Sequence, residues 1–346
     1  MNKYDELSVF ASVFKPDLIC VSESWLNQDI DDSLLSLRDY LILRDDRSGR
    51  RGGGVCAWIQ NKFSPIISSL RTDKPNCIEC LMFSLPASKI FCLLCYIPPG
   101  LTVKDHDCIT EFLSTELEAL LTVNPNQSLI VCGDFNDFQT SFLVEDFNLV
   151  NKVTLPTRQN SMLDLIFMDE CLTDMYAESA IIGPPLGKSD HNTVLLNPIN
   201  SKTADKEVGQ RIVQVRDYRL SNIAKFTDCL ATMNFNHLDL EANVDDMCAR
   251  FYDMFYSAAA NIPSENVTMS ARDKPWITPL LKLLINKRWA AYRTNNWNLY
   301  QHYKVKVKEE IIKAKKIWAR ENCTSSKNAW NVVNSIRNID SLIYLD

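Results

Sequence analysis

The stretch LIVCGDFND, residues 129–137, begins as an apolar run of the kind that builds a buried strand. It breaks at Gly133 and then sets Asp134 and Asn136 two positions apart. Side chains at i and i+2 of an extended chain share a face, so a carboxylate and a carboxamide would project together from the end of a core strand. Gly, Asp and Asn are also the commonest turn residues. Alone, these nine residues fit a turn as well as a site.

The flanking sequence repeats the pattern. DLICVSE (17–23) reads as a short buried strand delivering Glu23, and KIFCLLCYI (89–97) delivers Tyr96. SMLDLIFMD (161–169) carries Asp164 within a strand, and Ser189, Asp190 and His191 stand just before the strand HNTVLLNP (191–198). GGGVCAWI (52–59) and CIECLMFSL (77–85) are further strands. Residues 3–14, with Leu7, Phe10, Ala11 and Phe14 on one face, and ITEFLSTELEALLTV (109–123) have helical periodicity. Strands joined both by hairpins and by helices imply an α/β protein with mixed sheets. Polar groups at five strand ends imply a site on one edge of those sheets.

The chemistry of that set is coherent. Glu23 and the Asp134/Asn136 group offer hard oxygen ligands of the kind Mg²⁺ or Mn²⁺ takes. His191 is the one histidine of four set in such a motif, and it could sit as an imidazolium against a phosphate or act as an acid or base. Neighbours along a strand point to opposite faces, so an Asp190–His191 contact would require a turn there. Tyr96 and the Asn136 amide could donate to a phosphoryl oxygen as charge builds. Together the groups suit metal-assisted phosphodiester hydrolysis.

In order along the chain, SESWL, YIPP, GDFN, MLDLIF and SDH resemble the endonuclease/exonuclease/phosphatase superfamily, which includes apurinic endonucleases and deoxyribonuclease I. Within it, ICVSESWL, RGGGV, GDFN, LPTRQNSMLDLIF and SDH are most similar to the endonuclease domain of non-LTR (LINE-type) retrotransposons. The resemblance covers residues 1–198. It implies a four-layer α/β sandwich of two packed mixed sheets and a divalent-metal site. By motif, Glu23, Asp134 and Asp190 would bind metal, and Asp134 would also activate water or assist the leaving group. Asn136 would bind phosphate, Tyr96 orient it, Asp164 support the site, and Asp190 orient His191. Thr157 and Arg158 stand where the family has a residue near the DNA, and an ordinary polar loop fits them equally well. The family's first strand, with an asparagine ligand, is expected upstream of NKYDEL and is not in this sequence, so a fragment or truncated gene model of an element's polyprotein is expected.

Composition sets the wider frame. The chain has 346 residues, 46% hydrophobic, with a formal net charge of −6. Its domains are expected at 1–199, a polar linker at 200–210, and a mostly helical region at 211–346 that resembles the segment before a reverse transcriptase. From Arg272 to Arg337 there are 15 lysines and arginines against four acids, interleaved with tryptophans and tyrosines. A basic, aromatic-rich helical stretch is an electrostatic footprint for nucleic acid, with Lys287, Arg288, Arg293, Lys313, Lys315 and Lys316 as contacts. A solvated helical face with its aromatics packed inward reads the same way.

The expected function is nicking of target DNA, with DNA, element RNA and the reverse transcriptase domain as partners. Two alternatives remain: a phosphatase or phospholipid phosphodiesterase of the same superfamily, or an inactive remnant that binds nucleic acid. No secretory signal and no membrane-length apolar run is visible, and the cysteines sit inside apolar runs as in reducing compartments. An intracellular, nuclear location is therefore expected. Cys77/Cys80 and Cys92/Cys95 have the textual form of a zinc ribbon, but i and i+3 on a strand face opposite ways.

Overall fold

A computed structural model of the chain describes residues 3–49, 51–68, 74–124, 126–199, 210–235, 243–270 and 273–322. Helix α1 (Tyr4–Phe14) ends where Lys15 turns left-handed ahead of Pro16, and β1 (Leu18–Ser22) follows. Then come β2 (Tyr40–Asp45), β3 (Val55–Gln60), β4 (Ile66–Ile67), β5 (Glu79–Leu85) and β6 (Ile90–Tyr96). Helix α2 (Val103–Val123) starts six residues before the periodic stretch, because Thr102 and Asp105 form a capping box that extends it. It leads into β7 (Ser128–Asp134), α3 (Ser141–Glu145), β8 (Leu149–Asn151), β9 (Asp164–Asp169), α4 (Glu170–Thr173), β10 (Ile181–Gly183) and β11 (Thr193–Leu195).

The central layer is a six-stranded mixed sheet in the order β4-β5-β6-β7-β9-β8. Strands β6 and β7 run parallel through the α2 crossover, and the remaining pairs are antiparallel. One face packs on α2, with Leu93, Leu129, Val131 and Phe167 against Ile109, Leu113 and Leu117. The other packs on a three-stranded sheet, β1-β3-β2, through Phe83, Cys92 and Leu94 against Val55, Ala57 and Ile59. Helix α1 covers the outside of that sheet, where Tyr4, Leu7 and Ala11 meet Ile19, Cys56 and Trp58. The result is helix, sheet, sheet, helix: a four-layer α/β sandwich.

The second layer is not one continuous ladder. Strand β1 pairs with β3, and β11 pairs with β10 as a separate two-stranded piece. Among the described residues, the other edges of β1 and β11 carry no ladder. Cys92 and Cys95 divide between cores, Cys95 packing towards α2 and Cys92 facing the small sheet, whereas Cys77 and Cys80 both pack on the α2 side.

Beyond the expected linker, most of which (200–209) lies outside the described residues, the C-terminal region contains strands as well as helices. Strands β12 (Gln210–Arg216) and β13 (Ser264–Ser270) form an antiparallel ribbon around α5 (Leu220–Thr232) and α6 (Val244–Ala259). Helices α7 (Pro279–Arg293) and α8 (Trp297–Asn322) follow. They pack on α1. Trp289 lies 4.9 Å from Phe14 and 6.0 Å from Phe10 between ring centroids, and Glu6 pairs with Arg288. Asp5 pairs with Lys315, and Asp273 holds both Ser12 and Lys282.

Candidate active site

Register places the site. Tyr96 ends β6 opposite Asp134, which ends β7, and Asp134 lies opposite Asp164, the first residue of β9. Glu79, at the start of β5, lies opposite Tyr96. Directly paired residues on adjacent strands share a face, so Glu79, Tyr96, Asp134 and Asp164 form one polar row across four strands, facing the small sheet. Gly133 makes the row possible. Its φ is +143°, and a Cβ there would lie 1.8 Å from the carbonyl oxygen of Cys95. Any other residue would push β7 away from β6.

Asp134 is only 3% exposed. Burial, and then the neighbouring charge of Asp164, push its carboxyl up to about 7. The backbone N–H of Asn136, at φ +46°, donates to Asp134 Oδ1 at 3.1 Å, while Asn136 Nδ2 donates to the Ile97 carbonyl at 2.9 Å. The two side chains of GDFN are therefore fixed together, and one amide N–H of Asn136 is oriented by the end of β6.

His191 joins them from the loop before β11. Its Nδ1 lies 2.9 Å from Asp164 Oδ2, and that contact raises its pKa above the ordinary histidine value. Ligand atoms of Asp134, Asp164 and His191 all lie within 4.8 Å of one another. The contact expected of Asp190 is thus made by Asp164. Asp190 turns outward and pairs with Arg158 at 2.5 Å, because its neighbour His191 points inward. Ser189 Oγ accepts from the His191 N–H at 3.3 Å and fixes this turn.

Glu23 follows β1 with φ +50° and accepts the Tyr96 hydroxyl at 2.5 Å on Oε1. Burial and the Glu23 carboxylate both raise the Tyr96 pKa, so the phenol keeps its proton and orients Glu23. Thr157 is fully buried, unlike a residue that lies on DNA. Its Oγ1 accepts from the backbone N–H of Leu163 and of Asp164, both at 3.0 Å, and its carbonyl accepts from Asn192 at 2.7 Å. It ties the start of β9 to the His191 loop. Arg158, beside it, is the exposed member.

Two residues of the site carried no sequence signal. Arg47 Nε donates to Glu79 Oε1 at 2.5 Å, and its guanidinium lies 5.3 Å from the Tyr96 ring centroid. Their sequence separation is 32 and neither belongs to a motif, so only register brings them under Tyr96.

The basic C-terminal residues divide. Arg288 is buried against Glu6, Lys315 pairs with Asp5 at 2.5 Å, and Lys287 pairs with Glu265 at 2.7 Å. These three hold the helices in place. Arg293, Lys313 and Lys316 are exposed.

The profile of the Endonuclease/Exonuclease/phosphatase family matches residues 2–191. The chain belongs to this family. Its members are phosphoester hydrolases, nucleases and phosphatases among them, and generally depend on a divalent metal. Among solved structures, the endonuclease domain of TRAS1, a telomere-specific non-LTR retrotransposon, is 17% identical, with 58% of this chain and 94% of that one covered at a TM-score of 0.42. An AP endonuclease from Archaeoglobus fulgidus is 15% identical over 57% and 95%, at a TM-score of 0.44. The human Nocturnin catalytic domain is 17% identical over 56% and 84%, at 0.42. No curated protein sequence matches the chain. Among the described residues, no helix is long and apolar enough to cross a membrane.

Proposed function

We propose that the chain is a Mg²⁺- or Mn²⁺-dependent endonuclease that nicks DNA, as the endonuclease domain of a non-LTR retrotransposon does. The convergence of Asp134, Asp164 and His191 within 4.8 Å carries this reading. The donor set fits a hard divalent cation. Asp134 is a buried carboxylate facing the like charges of Asp164 and Glu23, and a cation relieves that repulsion. Asp134 and Glu23 would hold it, with Asp164 and His191 at its border and Asp190 at the exposed rim. Once bound, the cation supplies charge neutralisation on the phosphoryl oxygens.

The chain's own residues divide the remaining work. Asp134 takes a proton from the attacking water. Asp164 holds His191 as an imidazolium, whose Nε2–H donates to a phosphoryl oxygen or to the departing one. The amide of Asn136, set by Ile97, donates to another oxygen. Tyr96 keeps Glu23 in one rotamer and leaves the phosphate to Asn136 and His191. The motif LPTRQNSMLDLIF and the exposed Arg293, Lys313 and Lys316 support DNA over a small phosphoester, with element RNA and a reverse transcriptase domain as further partners and the nucleus as the place of action. The domain division at 199 and 210 belongs to the same reading. Assaying DNA nicking beside turnover of inositol phosphates and simple phosphomonoesters tests it: nicking with negligible monoester turnover is expected, and the reverse preference overturns it.

A further inference from the structure

Two residues beyond Glu23 the chain places a large aromatic ring in solvent. Trp25 is 52% exposed, yet its backbone is held at φ +57°, a conformation that a bulky side chain adopts only when its surroundings enforce it. Single exposed aromatics are common and need no explanation. One supported on strained backbone beside a catalytic cluster does.

The support is specific. The Ser24 N–H donates to the Gly54 carbonyl at 3.0 Å, and the Trp25 N–H donates to the Gly53 carbonyl at 2.9 Å. Leu26 is buried and anchors the following turn. Gly53 has φ +71°, and a Cβ on it would lie 2.2 Å from the Arg47 guanidinium carbon. The glycine loop therefore lets Arg47 pass beneath to Glu79 and Tyr96. One line of contacts joins Trp25, the loop, Arg47, Tyr96 and Glu23. Above the loop, the Arg51 guanidinium lies 5.5 Å from the Trp25 ring centroid.

We propose that Trp25 and Arg51 form a stacking platform for an unstacked nucleobase next to the phosphate bound at Asp134 and His191. The inference rests on the nuclease reading and adds the substrate contact that this reading lacks. An indole offers a π-face that any base can stack on, and a neighbouring guanidinium adds a cation for base or phosphate. Glu23 lies two residues away, at most about 7 Å along an extended chain. The spacing puts the platform at a nucleotide adjoining the reacting phosphate, on the β1 side of the site. A simple phosphomonoester would leave it empty.

The test is binding of a fluorescent single-stranded oligonucleotide to the full chain in EDTA, beside an abasic oligonucleotide of the same length. The native chain is expected to bind the base-bearing strand more tightly. Trp25→Ala should weaken that binding about 10-fold and leave the abasic strand unaffected, which also reports that the variant is folded. Trp25→Phe, which keeps a π-face, should retain most of the affinity. Equal loss on both strands, no loss on either, or a native chain that does not distinguish them would overturn the platform. Plasmid nicking by the native chain stands or falls separately, so a failed platform and a failed nuclease reading give different results.

Discussion

Asp164 Oδ2 lies 2.9 Å from His191 Nδ1, while Asp190, adjacent to His191 in sequence, pairs with Arg158 at 2.5 Å. The carboxylate that orients the histidine comes from 27 positions away, and the neighbouring one sits at the exposed rim. The two aspartates should therefore behave very differently.

Asp164→Asn should lower single-turnover cleavage about 10³-fold, within the range of a lost acid–base group. Asp190→Asn should cost less than about tenfold, since its partner is an exposed arginine. Rates measured with saturating Mg²⁺ check this, and the opposite ranking would assign the histidine to Asp190.

Asp134 should make the metal-free protein less stable as pH rises. Its folded value of about 7 lies above its ordinary 3.8, so between these pH values the folded chain holds a proton that the unfolded chain has lost. The stabilisation is complete below pH 4 and lost as pH rises through 7. Asp134→Asn should abolish cleavage yet stabilise the metal-free chain at pH 8 by up to about 4 kcal/mol, with no gain at pH 4. Urea melts at the two pH values read it, and a variant less stable than native at pH 8 contradicts it.

Arg288 is 2% exposed and pairs with Glu6 of α1. Removing one member of a buried pair strands the other charge. Arg288→Ala should lower stability by about 3 kcal/mol while leaving the salt dependence of DNA affinity unchanged in the variant that remains folded. A shallower salt dependence would make Arg288 a DNA contact after all.

Lys313 and Lys316 are exposed on α8, and their change to Gln should act in the opposite sense. Each should reduce the slope of log affinity against log salt by about 0.9, with stability unaltered. Titrations at several salt concentrations measure it, and an unchanged slope would remove α8 from the DNA surface.

The strands that end at Tyr96 and Asp134 were legible because apolar runs broken by Gly or Pro declare themselves. Helices α7 and α8 fall within the region expected to be mostly helical. The Asp164–His191 contact was not, because it depends on β9 lying antiparallel beside β7, and pairing leaves no local mark. Thr157 misled for a related reason. A polar residue in a polar loop reads as exposed until the two backbone N–H groups it satisfies are known. Net positive charge at 272–337 was plain, but its use was not: Arg288 finds Glu6 across 282 positions. Strand β12 was missed because QRIVQVR adjoins a polar stretch and pairs with a strand 54 positions on.

The most direct test of metal-dependent DNA cleavage at this site is conversion of supercoiled plasmid to open circles, with Mg²⁺ or with EDTA, by the native chain and by Asp134→Ala. The site predicts nicking by the native chain in Mg²⁺, lost both in EDTA and in the variant. Nicking that persists in EDTA or in Asp134→Ala, or none by the native chain in Mg²⁺, would contradict it.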